Sequence, residues 1–104
     1  CNLRDYSVEI EEFKELLVDA KAAIVVPVLG LVPDMKTIVE VCKAANVILL
    51  EDCCEALGSE YKGQKLGTFG EMSTFSTYFG HHMSTIEGFT GIFRTKAAWK
   101  GRDI

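Results

Sequence analysis

At 104 residues, 48% of them hydrophobic, the chain has the length of one domain and enough apolar residues for a core. A net charge of −4 with no Lys/Arg cluster excludes a nucleic-acid-binding surface. The longest apolar runs, AAIVVPVLGLVP and NVILL, fall well short of the roughly 20 residues that span a bilayer, and no secretory signal pattern is visible.

Ser7 precedes Ile10, Phe13, Leu16, Leu17 and Ala20, a spacing that predicts a helix with these residues on one side. AAIVVPV, residues 22–28, reads as a buried strand whose pairing stops at Pro27. Asp34 then opens a second helix over MKTIVEVCKAAN, with Ile38, Cys42 and Ala45 at i, i+4 and i+7 and Asn46 as its stop. NVILLED, residues 46–52, is a second apolar strand that ends in two acids. Strand, helix and strand make a βαβ unit with a parallel pair. The glycines of YKGQKLGTFG mark a small hairpin-like excursion; EMSTFST predicts another strand and GFTGIFRT a weaker one. The fold class is α/β with a mostly parallel sheet.

Cys1, Cys42, Cys53 and Cys54 show no CxxC spacing, and two of them are adjacent. They read as reduced thiols of a cytoplasmic protein, not as a disulfide framework or a zinc site. Starting at Cys1 and not at a methionine, the chain is expected to be a truncated piece of a longer one.

Ligands of open α/β sheets bind beyond the carboxyl ends of the strands, where Asp52 sits. Position alone leaves two readings of Asp52, a ligand-binding acid or a cap on the following turn. A phosphoacceptor aspartate is excluded, because the first strand runs into Pro27-Val28-Leu29-Gly30 without the acidic pair such sites need.

EDCCEALGSEYKGQKLGTFGEMSTFSTYFGHHMSTIEG resembles the DegT/StrS family of pyridoxal-phosphate-dependent sugar aminotransferases, and VPVLGLVPDMKTIVEVCKAANVILLED extends the likeness upstream. The resemblance covers roughly residues 5–88. It implies that the chain, residues 1–104, is part of the large, cofactor-binding domain of an aspartate-aminotransferase-like fold, with the small C-terminal domain not included. Asp52 matches the acid that pairs with the pyridine nitrogen of the cofactor, and Glu55 the residue beside the cofactor ring. Ser76, 24 residues after Asp52, matches the hydroxyl that binds the cofactor phosphate.

The family's cofactor-holding lysine falls five residues after Ser76, where this chain has His81. Imidazole has no primary amine to link covalently to the cofactor, but it exchanges protons near neutral pH, with an unperturbed pKa of about 6.5. The histidine is shared by a subgroup of sugar 3-dehydratases, which FGHHMSTIEG resembles. The likeness implies removal of the C3 hydroxyl from a nucleotide-linked 4-keto-6-deoxy sugar with pyridoxal or pyridoxamine 5'-phosphate. His81 is then the proton-transfer residue, glutamate the amino donor, GDP the expected nucleotide and a homodimer the expected assembly. Deoxysugar or lipopolysaccharide biosynthesis is the implied setting.

His82 is read as a supporting or structural residue, and two adjacent histidines make no metal site, because neighbouring side chains of an extended run point to opposite faces. Cys54 matches the first cluster cysteine of a related dehydratase that acts on CDP-linked sugars and holds an iron–sulfur cluster. No other cysteine is suitably placed, which favours the GDP-sugar type.

After Glu87-Gly88 the sequence departs from the family pattern, and AAWKGRDI is similar to a later family segment. An aminotransferase relative, or a non-catalytic fragment or binding module, are the alternative readings.

Overall fold

The computed structural model describes Arg4, residues 6–77 and the backbone of residues 89–93. The first helix, α1, is Ile10–Leu16, with Glu11 and Glu12 in its first turn, where negative charge suits the helix dipole. Leu17, just past the helix, is buried, whereas Leu16 is 76% exposed. The expected apolar face therefore loses Leu16. Leu17 returns to the face of Ile10 after two turns, and its predecessor falls about 100° short of it.

Strand β1, Ala22–Val25, ends two residues before Pro27, and the chain tightens into a 3-10 turn over Val28–Gly30. The expected strand over 22–28 is thus shortened at the position where proline removes a donor from the ladder.

Helix α2, Met35–Ala44, is specified at both ends. At its start, Asp34 accepts the Thr37 amide at 3.3 Å and the Thr37 hydroxyl at 2.7 Å. At its end Asn46 takes a left-handed φ of 56°. The amides of Asn46 and Val47 then donate to the carbonyls of Lys43 and Cys42, which closes a Schellman cap. Met35, Ile38 and Cys42 form the buried stripe.

Strand β2, Ile48–Asp52, lies parallel to β1 with Ala22 opposite Ile48. A two-stranded hairpin follows, β3 Glu60–Tyr61 and β4 Gln64–Lys65. Lys62 and Gly63 have φ of 49° and 83°, the two positive angles of a type I′ turn. Strand β5, Met72–Ser76, pairs parallel with β2, and β6, Phe89–Phe93, pairs antiparallel with β5. The main sheet therefore runs β1-β2-β5-β6, α/β and mostly parallel as the sequence predicts.

Val25 and Leu49 pack against Met35, Ile38 and Cys42 on the sheet face covered by α2, with Leu17, Cys53 and Leu66 in the same core. Alternation along the strands sends Ile24, Leu50, Asp52, Met72 and Thr74 to the opposite face. Ile24 there is 65% exposed, so this face is open among the described residues. No helix among them is long and apolar enough to cross a membrane.

Candidate functional site

Asp52 is the last residue of β2, at the carboxyl end of the parallel strands and on the open face. Register places Thr74 of β5 directly opposite it. The Asp52 Oδ1 atom accepts the Thr74 hydroxyl at 3.0 Å and the Cys54 amide at 3.2 Å. The second bond is an Asx turn, so the capping reading of Asp52 is realised in the same side chain that faces the cleft. That cleft, of about 280 Å³, is lined by Ile24, Leu50 and Met72, with Asp52 and Thr74 at its polar end. A carboxylate at the end of an apolar cleft suits a ligand with an apolar body and a protonated or hydrogen-bond-donating end.

Ser76 ends β5 two residues beyond Thr74 and is half-buried. Alternation puts it on the face of Thr74 and Asp52, roughly 7 Å further along the strand direction. The sheet thus gathers Asp52 and Ser76, 24 residues apart in sequence, on one face.

Glu55 lies in the turn after β2, which the Ala56 amide closes onto the Cys53 carbonyl. Its Oε2 accepts the amide of Leu29 at 2.9 Å, and the Ser59 hydroxyl donates to the Gly30 carbonyl at 3.4 Å. The loop after β1 is thereby tied to the segment after β2, with Leu29 held at a φ of 53°. His81 and His82 lie outside the described residues.

Glu51, which sequence reasoning missed, points to the other side of β2 and is 1% exposed. Its carboxylate accepts three backbone amides, Gly67 and Gly70 at 2.6 Å and Phe69 at 2.7 Å. This side chain pins the GTFG loop under the sheet and so fixes where β5 begins. A Cβ on Gly67 would meet the Phe75 ring at 2.6 Å, and one on Gly70 the Leu49 carbonyl at 2.6 Å, which explains glycine at both places. The sequence offers only a glycine-rich loop whose amides need an acceptor, without saying which of the two adjacent acids supplies it.

Among the described cysteines, Cys42, Cys53 and Cys54 are all shifted toward the neutral thiol, Cys42 by burial alone. Burial, with the charges of Glu51 and Asp52 adding to it, pushes Cys53 up to about 12. Desolvation first, then the hydrogen bond with Asp52, raises Cys54, while Thr74 opposes the shift. Among the described residues no three His, Cys, Asp or Glu side chains gather as a metal site.

At the far side of the hairpin the Tyr61 hydroxyl donates to Asp34. That bond, with Thr37 second, lowers the Asp34 carboxyl to about 2. Tyr61 also meets Phe69 edge-on at 6.1 Å, so hairpin, GTFG loop and the start of α2 form one unit.

The profile of the DegT/DnrJ/EryC1/StrS aminotransferase family matches residues 2–98. The chain belongs to that family. Among curated relatives, the GDP-4-keto-6-deoxy-D-mannose 3-dehydratase of Escherichia coli O55:H7 is 36% identical over 88 residues, 84% of this chain and 23% of the relative. The GDP-perosamine synthase of Escherichia coli O157:H7 is 47% identical over 68 residues, 65% of this chain and 19% of the relative.

A solved structure of the E. coli GDP-4-keto-6-deoxy-D-mannose-3-dehydratase with bound hydrated PLP superposes with a TM-score of 0.83 at 32% identity. The superposition covers 94% of this chain and 25% of that one. The α/β, mostly parallel sheet is thus part of the aspartate-aminotransferase-like fold. The chain spans about a quarter of the length of the dehydratases it matches.

Proposed function

We propose that this chain is part of the cofactor-binding large domain of a longer, homodimeric cytoplasmic enzyme. That enzyme removes the C3 hydroxyl from a GDP-linked 4-keto-6-deoxy sugar, with pyridoxal or pyridoxamine 5'-phosphate as cofactor and glutamate as amino donor. The reaction is a dehydration in deoxysugar or lipopolysaccharide biosynthesis. The observation that carries this reading is a histidine, His81, five residues after Ser76, where the family likeness implies the cofactor-linking lysine. The dehydratase likeness over 84% of the chain supports it.

The cofactor, when bound, supplies a ring that draws electrons from the carbon losing a proton. The residues of this chain fit that group. Asp52 presents a carboxylate at the rim of an apolar cleft, where it would hold the proton on the pyridine nitrogen of a bound cofactor. Ser76, on the same face, offers its hydroxyl to the phosphate. Glu55, whose carboxylate accepts the Leu29 amide, would lie beside the ring, as the family likeness implies. His81 takes and returns a proton at an imidazole nitrogen, since its unperturbed pKa lies near neutrality. His82 supports it.

A second reading, an aminotransferase, is favoured by the 47% identity to the perosamine synthase. Ordinary transamination uses a primary amine at the position of His81, and imidazole lacks one. The two readings part in the product. The full-length parent is incubated with a GDP-linked 4-keto-6-deoxy sugar, pyridoxal phosphate and glutamate. A sugar product lacking the C3 oxygen supports dehydration; a 4-amino sugar that retains it contradicts the proposal.

A further inference from the structure

The Asp52 carboxylate is set in place by a side chain to which the resemblance gives no role. Thr74 is its cross-strand partner in the parallel β2–β5 pair, and the two side chains share the open sheet face. The Thr74 hydroxyl lies 3.0 Å from Asp52 Oδ1. A hydroxyl has one proton and a carboxylate can only accept, so that proton points at Asp52. Cys54 Sγ lies 3.9 Å from Thr74 Oγ1. At that distance the sulfur is a weak third neighbour of the hydroxyl and leaves the shorter bond to Asp52 in place. The Cys54 amide places a second donor on the same Oδ1 at 3.2 Å.

Two donors on one oxygen fix the rotation of the carboxylate plane, a broad torsion when left alone. Threonine is suited to this because branching at Cβ restricts its own first torsion.

We propose that Thr74 is a positioning residue for the cofactor: it locks the Asp52 carboxylate in the orientation that meets the pyridine nitrogen. The inference rests on the reading of Asp52 given above. A hydroxyl that merely satisfied a strand would affect folding and leave cofactor affinity alone. A hydroxyl that orients Asp52 affects cofactor affinity first.

The test uses the full-length parent stripped of cofactor and titrated with pyridoxal phosphate, binding being read by absorbance and fluorescence. Thr74→Val keeps the branched shape and removes the hydroxyl; Thr74→Ser keeps the hydroxyl. Losing a hydrogen bond to a charged group is expected to raise the Kd of Thr74→Val about tenfold, with the melting temperature of the cofactor-free protein unchanged. Thr74→Ser is expected to bind close to wild type.

A Thr74→Val protein with wild-type Kd overturns the proposal, as does a Thr74→Ser protein as weak as Thr74→Val. Asp52→Asn, measured alongside, separates the two levels. Wild-type affinity in Asp52→Asn defeats the reading of Asp52 and this proposal with it. Weakening in Asp52→Asn without weakening in Thr74→Val defeats the role of Thr74 alone.

Discussion

Glu51→Gln removes one negative charge from a site where a single side chain satisfies three buried amides. The Oε1 atom serves Phe69 and Gly70 at 2.7 and 2.6 Å, and Oε2 serves Gly67 at 2.6 Å. Glutamine keeps one oxygen, and its best arrangement leaves that oxygen with the two-amide side. Its NH2 group then faces the Gly67 amide, donor against donor, in a site that is 1% exposed. An unpaired buried donor costs about 1–3 kcal/mol, and turning two charge-assisted bonds into neutral ones loses about 1 kcal/mol each. The sum is about 3–5 kcal/mol, a large share of the stability of any domain.

Hydrogen exchange at the amides of Gly67, Phe69 and Gly70 is the direct assay, because it reads the opening of this loop even within a larger protein. Exchange roughly 10²- to 10³-fold faster is expected at Gly67, where the bond is lost outright. Protection unchanged within about threefold at all three amides would refute the reasoning, since it would mean the carboxylate is not what holds the loop.

Tyr61→Phe removes the largest cause of the low Asp34 carboxyl, so Asp34 should titrate nearer 3.8 than about 2 in an NMR pH series. The sign follows from a depressed folded value: Asp34 contributes stability above pH 3.8 and loses it as pH falls through about 2, and Tyr61→Phe should flatten that acid dependence. Gly63→Ala should cost about 1 kcal/mol, the strain of a left-handed alanine with open space around it. Gly67→Ala should cost more, because the same strain is joined by a 2.6 Å contact with Phe75, and equal melting temperatures would contradict that ranking. Asp52→Asn in the full-length parent should weaken cofactor binding and largely abolish dehydration, and near-normal turnover would remove Asp52 from the site. Ser76→Ala should raise the cofactor Kd with a smaller effect on rate, and an unchanged Kd would remove Ser76 as a phosphate ligand.

The βαβ unit was legible because its signals are local. Asp34 caps α2 through Thr37, Asn46 supplies the left-handed stop, and the flanking strands are plainly apolar. Where two signals compete, the sequence is ambiguous. Val26 continues the apolar run, yet Pro27 ends the ladder before it. Leu16 and Leu17 are equally hydrophobic, and one residue of helical phase decides which is buried.

Spacing and resemblance single out Asp52 and Ser76, and the strand register puts the two on one sheet face. Glu51 could not, because its partners are backbone amides and a strand buried on one side and apolar on both shows no alternation to say which acid turns inward. Thr74 stayed hidden for a related reason. Its meeting with Asp52 depends on the register of two strands separated by a turn and a hairpin, which no short window contains.

The central claim is that His81 stands in the place of the cofactor-linking lysine, and borohydride reduction tests it most directly. The full-length parent, loaded with pyridoxal phosphate and reduced, is digested and its peptide spanning residues 75–88 is weighed. The account predicts no pyridoxyl adduct on the wild-type peptide and a trapped adduct on His81→Lys, together with loss of dehydration in that variant. His81→Asn should keep the cofactor and lose about 10²- to 10⁴-fold in rate, as for a missing general base, while His82→Asn retains activity. An adduct on the wild-type peptide, or an inactive His82→Asn beside an active His81→Asn, would contradict it.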